Sequence, residues 1–287
     1  MTNLARRALE TATEVRVAAK LRTTDAICIY DLVESLGIEV RFEALPSLEG
    51  IYTPGVPPII VLSSLRPSGR QRVTCAHELG HDRFGHGRRE ELLRSSQSPS
   101  PFDPDEFLAN CFAEYLLMPK LAIECAFAMR SLKVADATAQ QLFGIANSFG
   151  VGYTTLIHHL ERNLKLLSAA DAAARRRTTP ADIRQSIVQQ ADDVELFFLD
   201  AYWGARPLDV HVGDSIVSPE PLRGAEDIVE TIRHDEVGVL SRAERPGQAE
   251  VALASGWSVR IRVASRVAAG GFQGRNRYRH EPEVGDE

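Results

Sequence analysis

Apolar residues recur along this chain with two different periods, and the changes between them outline its elements. Leu4, Ala8, Ala12 and Val15 fall at helical spacing, so residues 3–20 are predicted as an amphipathic helix, with a second helix over 24–36. Gly37-Ile38-Glu39-Val40-Arg41-Phe42 then alternates apolar with polar, as a half-buried strand does. Further strands are predicted around Glu49-Gly50-Ile51-Tyr52 and Pro58-Ile59-Ile60-Val61-Leu62. Helical spacing returns with Val73, His77, His81 and Phe84 on one stripe. Ser68 and Gln71 have the spacing of a capping box at its start, and Gly85 offers a stop. Asp103 to Pro119 reads as the next helix, with Asp103 as cap, Pro104 at the first position and Pro119 ending it. The prediction is an α+β unit in which a small sheet backs a pair of helices.

Two helical stretches follow between Ala137 and Leu166, separated by Phe149-Gly150-Val151-Gly152, with Thr154 or Thr155 opening the second. This resembles a helix-turn-helix, but Thr155 to Arg162 carries little positive charge, so the segment is expected to complete the first domain structurally. Ala169 to Thr179 reads as a helix end or linker, and Thr179-Pro180-Ala181-Asp182 opens another helix. Val194 to Leu199, Asp209 to Val217 and Val251 to Val267 contain strand-like runs. The expected organisation is one domain over 1–170, including the helix-turn-helix-like segment 137–166, and a smaller mixed α/β domain over 180–287.

Composition narrows the class. With 287 residues, 44% hydrophobic and 25% charged, the chain has the balance of a globular protein, and its net charge is −6. No apolar run approaches a membrane span, and Met1-Thr2-Asn3-Leu4-Ala5-Arg6-Arg7 lacks the adjoining apolar core of a secretory signal, so a cytoplasmic protein is expected. Cys28, Cys75, Cys111 and Cys125 have no metal-type pairing and read as reduced thiols. Cys75 and Cys111 lie close in sequence to the candidate ligands below, but core packing is the expected role of both.

The chemistry centres on His77-Glu78-Leu79-Gly80-His81. On a helix both imidazoles share a face and can hold one metal ion, and Zn2+ suits neutral imidazole nitrogens. Glu78 would then be placed to take a proton from water at the open coordination position. A third ligand is needed. His86 does not fit the spacing of the long zinc-protease motif and is expected to be a polar residue at the helix end. Glu106, Asp105 and Glu114 all lie in the next helix, and spacing does not choose among them. Glu106, three residues after Asp103, also has the position of a capping-box glutamate.

The histidine pair followed by Glu106-x-x-Ala109-Asn110-x-Phe112-Ala113-x-x-Leu116-Leu117-Met118-Pro119 resembles the ImmA/IrrE family of zinc metallopeptidases, over roughly residues 20–165. The resemblance implies a zincin-like fold with Zn2+ held by His77, His81 and Glu106. It implies an endopeptidase whose substrate is a helix-turn-helix repressor cleaved in response to stress, DNA damage or phage attack, and a GAF-like sensing domain in the C-terminal part. From Trp257 to His280 the sequence has Arg260, Arg262, Arg266, Arg275, Arg277 and Arg279 and no acid, with aromatic residues among them. That pattern suggests single-stranded DNA as an activating ligand. Two other classes stand beside the peptidase: a DNA-binding transcription regulator using 137–166, and a non-cleaving protein that sequesters a repressor.

Overall fold

The computed structural model describes residues 3–92, 102–188, 194–204, 206–252, 256–265 and 274–275. The fold is mixed α+β, and the chain divides into two compact units: residues 1–23, 27–119 and 267–287 form one, and 24–26 with 120–266 the other. The first contains helices α1 (Asn3–Ala18) and α2 (Ile29–Ser35), strands β1 (Glu39–Glu43), β2 (Leu48–Thr53) and β3 (Ile59–Ser63), helix α3 (Ser68–Phe84), strand β4 (Arg89–Leu92) and helix α4 (Pro104–Leu117). The first two helices are shorter than their periodicity suggested.

Small residues set the spacing of this unit. Ala5, Ala8, Ala12 and Val15 are buried on α1, which packs on α4. Arg16, also buried on that face, donates to the Leu116 and Arg22 carbonyl oxygens at 2.7 Å. Leu116 lies in the last turn of α4, where carbonyls have no intrahelical partner, so the guanidinium satisfies a group that burial would otherwise penalise. The other end of α4 is capped as predicted, Asp103 accepting from the backbone of Asp105 and Glu106 at 2.9 and 3.4 Å.

The start of α3 differs from expectation. Pro67 occupies the cap position in an extended conformation, and Ser68 is the first helical residue. The side chains expected to form a capping box are engaged elsewhere: Ser68 Oγ accepts from Arg72, and Gln71 donates to the Arg66 carbonyl. Gly85 ends the helix in the left-handed region at φ 69°, as predicted.

A five-stranded sheet lies beneath α3, in the order β12-β1-β3-β2-β4, where β12 is the short strand Gly274–Arg275. Strand β1 runs parallel to β3 with Val40 opposite Ile60 and Phe42 opposite Leu62, and these four side chains are buried. Strand β2 is antiparallel to both β3 and β4. Tyr52 on β2 donates its hydroxyl to Asp82 Oδ1 of α3 at 2.6 Å, tying the end of the helix to the sheet. Burial, reinforced by the Asp82 hydrogen bond and charge, pushes the Tyr52 phenol up to about 12.

The second unit begins with helices α5 (Lys120–Met129), α6 (Ala139–Phe149) and α7 (Tyr153–His158), a π-helical turn His159–Asn163, and helices α8 (Ala169–Arg175) and α9 (Pro180–Val188). Among the described residues beyond α9 all regular structure of this unit is strand: β5 (Leu196–Phe198), β6 (Leu208–His211), β7 (Ser215–Ser218), β8 (Val229–Asp235), β9 (Gly238–Ala243), β10 (Gly247–Ala252) and β11 (Ser258–Ala264). The C-terminal part is therefore β-rich. The strands form two sheets, β5-β7-β9-β8 and β10-β11-β6, and Phe197, Trp203, Val210, Ile216 and Ile261 join one hydrophobic core fed by both. An ion pair is buried with it: Arg262 Nε donates to Asp209 Oδ1 at 2.6 Å.

Two predictions follow from these contacts. A phenol raised in the folded state contributes stability that is full below its unfolded value near 10 and is lost as pH rises through about 12. The denaturant midpoint should therefore fall across that window, and Tyr52→Phe should flatten the slope. In the second unit, Arg262→Met leaves the buried Asp209 carboxylate without its guanidinium, which should cost about 3–5 kcal/mol. Both tryptophans of the chain, Trp203 and Trp257, lie in that unit, so fluorescence-detected unfolding reports the loss directly.

Candidate metal centre

Helices α3 and α4 pack together through Gly80. A Cβ at that position would lie 3.1 Å from Ala109 Cα, 3.1 Å from Phe112 Cδ1 and 3.3 Å from Ala109 Cβ. The approach places the His77-Glu78-x-x-His81 turn opposite the first turns of α4. His77 and His81 are each 1% exposed, and their Nε2 atoms are 2.9 Å apart. Glu106 places Oε2 3.5 Å from His77 Nε2 and Oε1 3.4 Å from His81 Nε2. One donor atom from each of the three residues lies within 4.8 Å of the others.

The donor chemistry fits a divalent metal such as zinc. His77 Nδ1 is 3.1 Å from Asn110 Oδ1, and a carboxamide oxygen can only accept, so the His77 proton is on Nδ1 and the Nε2 lone pair faces the cluster. Two imidazole nitrogens and one carboxylate oxygen are a familiar zinc donor set. The Glu106 side chain is 20% exposed, so one side of the group is reachable from solvent.

Of the alternatives left by spacing, the structure brings Glu106 to the histidines. Glu106 points its carboxylate at the histidines, as the metal-ligand reading expects and the capping-box reading does not. Asp105 instead faces His86, at 3.4 Å from its Nε2. His86 is not merely a polar residue at the helix end: its Nδ1 is 2.8 Å from His81 Nδ1. Among the described residues the metal-compatible group contains no cysteine. Burial pushes the Cys75 thiol well up and that of Cys111 up to about 11, as expected of protonated core thiols.

Glu78 is fully buried on α3, with its carboxylate over β2. Gly50 makes room for it: a Cβ there would lie 2.6 Å from Thr74 Cγ2 and 3.1 Å from Glu78 Oε1. The sequence does not single out Gly50 or Gly80 as site residues, and its spacing sets His86 aside as a ligand. Asn110 had a signal, sharing a helix face with Glu106. The glycines had none, because their role is to be absent where another element comes close.

Of the six C-terminal arginines, three lie among the described residues, and each faces a carboxylate. Arg262 is buried in the Asp209 pair, Arg260 faces Glu250 at 2.7 Å, and Arg275 faces Glu39 at 3.4 Å. Arg266, Arg277 and Arg279 lie outside the described residues. In the helix-turn-helix-like segment, Gly152 rather than Thr154 or Thr155 caps the second helix. That helix has only six residues, with Tyr153, Leu156 and Ile157 buried.

A buried histidine pair one turn apart, joined by a carboxylate from a neighbouring helix, is a group that could hold a metal ion. Residues 33–161, which contain all three donors, match the family model described as Peptidase_M78, IrrE N-terminal-like domain. This stretch is an IrrE N-terminal-like metallopeptidase domain. No curated protein matches the chain. Among solved structures, a Mycobacterium tuberculosis transcriptional regulator is similar at 17% identity and a TM-score of 0.34. The match covers 56% of this chain and 46% of that one, and a likeness this distant carries no argument. No helix among the described residues is long and apolar enough to cross a membrane.

Gly80→Val should force α3 and α4 apart. The expected cost is about 1–3 kcal/mol from overpacking against backbone. Zinc affinity should fall with it because Glu106 is carried away from the histidines. Denaturant unfolding and zinc titration of the same variant check the two effects.

Proposed function

We propose that the chain is a zinc endopeptidase in which Glu78 is the general base, and that it cleaves a helix-turn-helix repressor in the cytoplasm to release a stress or defence response. The observation carrying this reading is the convergence of His77, His81 and Glu106 beside a buried glutamate on the same helix turn. A zinc ion held there would supply Lewis acidity to water and to the scissile carbonyl. Glu78 takes the proton of the attacking water and delivers it to the departing amine nitrogen. His77 and His81, fixed on one helix, would hold the ion together with Glu106, whose side chain is partly exposed. The short strand β4 ends the described sheet, and a peptide adding to it would gain backbone hydrogen bonds with little demand on its side chains.

The repressor as substrate rests on the family resemblance. The β-rich part, with its own core, is assigned the GAF-like sensing role that the same resemblance implies. Single-stranded DNA as the activator draws no support from Arg260, Arg262 or Arg275, each of which already faces a carboxylate.

The test incubates the purified chain with helix-turn-helix repressors encoded near its gene and identifies fragments by mass spectrometry. Wild type should cleave one of them. Glu78→Gln should retain zinc and repressor binding while losing about 10²–10⁴-fold in rate. Cleavage by Glu78→Gln at the wild-type rate would remove the general-base assignment. Repressor binding with zinc present and no cleavage by wild type would favour sequestration.

A further inference from the structure

We propose that His86 is a positioning residue of the metal centre, accepting the Nδ1 proton of His81 and so fixing the ligand tautomer in which His81 Nε2 presents its lone pair to the ion. The inference rests on reading His77, His81 and Glu106 as a metal site. It concerns how one of those ligands is held.

The backbone explains how a residue at this spacing reaches the site. Helix α3 ends in a paired turn: His86 N–H donates to the His81 carbonyl at 3.0 Å, and Gly85 N–H donates to that of Asp82 at 3.1 Å, with Gly85 at φ 69°. These are the two bonds of a Schellman motif, which reverses the chain over the last turn of its own helix. The reversal returns the His86 ring to His81, with centroids 5.1 Å apart and planes at 65°, and brings the two Nδ1 atoms to 2.8 Å.

At that separation one nitrogen must donate and the other accept. Asp105, in the first turn of α4, decides which. Its Oδ1 lies 3.4 Å from His86 Nε2, and a carboxylate favours the proton on the nitrogen facing it. In the neutral tautomer with its Nε2 proton toward Asp105, His86 has only a lone pair at Nδ1, which makes His81 the donor and leaves His81 Nε2 free to ligate. The opposite arrangement would put a proton on His81 Nε2, in the middle of the donor cluster. Phe84 stacks on the His86 ring at 5.7 Å and 26°, and Arg7 of α1 lies over Phe84 at 5.1 Å, so the ring is held by packing as well as by polar contacts. His77 has its orienting partner in Asn110, and His86 gives His81 the equivalent.

The deciding experiment measures Zn2+ affinity of the full chain by competition with a chromophoric chelator, with thermal unfolding of the metal-free protein in parallel. His86→Phe keeps an aromatic ring on Phe84 and removes the acceptor; zinc affinity should fall by about 10–100-fold. His86→Asn places an acceptor oxygen close to where Nδ1 stood, without the ring or the Asp105 contact, and should recover most of that loss. The metal-free unfolding temperatures should not follow this order, since Asn gives up more packing than Phe. Wild-type affinity in His86→Phe, or equal weakness in both variants, overturns the proposal while leaving the metal site in place. A wild-type chain that binds no zinc overturns the metal site and the proposal together.

Discussion

A metal centre built from two helices depends on how closely their backbones can approach, and here Gly80 sets that distance. A larger side chain at position 80 would press on Ala109 and Phe112 of α4, the helix that carries Glu106 toward the two imidazoles. With Gly80 against Ala109, the carboxylate oxygens come to 3.4 and 3.5 Å from the histidine nitrogens before any ion is considered. The alanine face of α1 also packs on α4, and Arg16 ties the end of that helix down. Packing of small residues is thus what turns a sequence motif into a cluster of donors.

Close packing has an electrostatic consequence. Two buried imidazoles and a carboxylate cannot rely on solvent to orient them, and a buried polar group without a directed partner is costly. The surroundings supply those partners. Asn110 faces His77, His86 faces His81, and Asp105 faces His86, so α4 contributes a ligand and two orienting groups from positions 105, 106 and 110. The sheet acts from the opposite side: Gly50 leaves space for the Glu78 carboxylate, and Tyr52 holds the end of α3 through Asp82.

Much of this was legible in the sequence because the elements carry strong local signals. The stop at Gly85, the cap at Asp103, the proline bounds of α4 and the alternation in β1 are decisions made within a few residues, and each appears in the structure as expected. Pro67 shows the limit of local reasoning, since Ser68 and Gln71 have capping-box spacing but find better partners in Arg72 and the Arg66 carbonyl. Local reasoning is silent for a related reason on the arginines near the C-terminus: charge spacing along a strand does not say which acids face it across a sheet, and Asp209, Glu250 and Glu39, which face Arg262, Arg260 and Arg275, come from elsewhere in the chain. His86 was obscured by its spacing, which follows the geometry of a helix-ending turn and not the period of the helix.

The number and exposure of the donors distinguish what kind of metal centre this is. A structural zinc site is closed by four protein ligands, commonly several cysteines, whereas a catalytic one keeps a position for water or substrate. Among the described residues three donors converge here, and Cys75 and Cys111 are thiols kept protonated by burial. The histidines are buried while the Glu106 side chain is partly exposed, so the group meets solvent on its carboxylate side. Glu78 follows His77 directly, on the turn that carries both histidines. In the proposed peptidase that buried carboxylate is the group that moves a proton between water and the leaving amine.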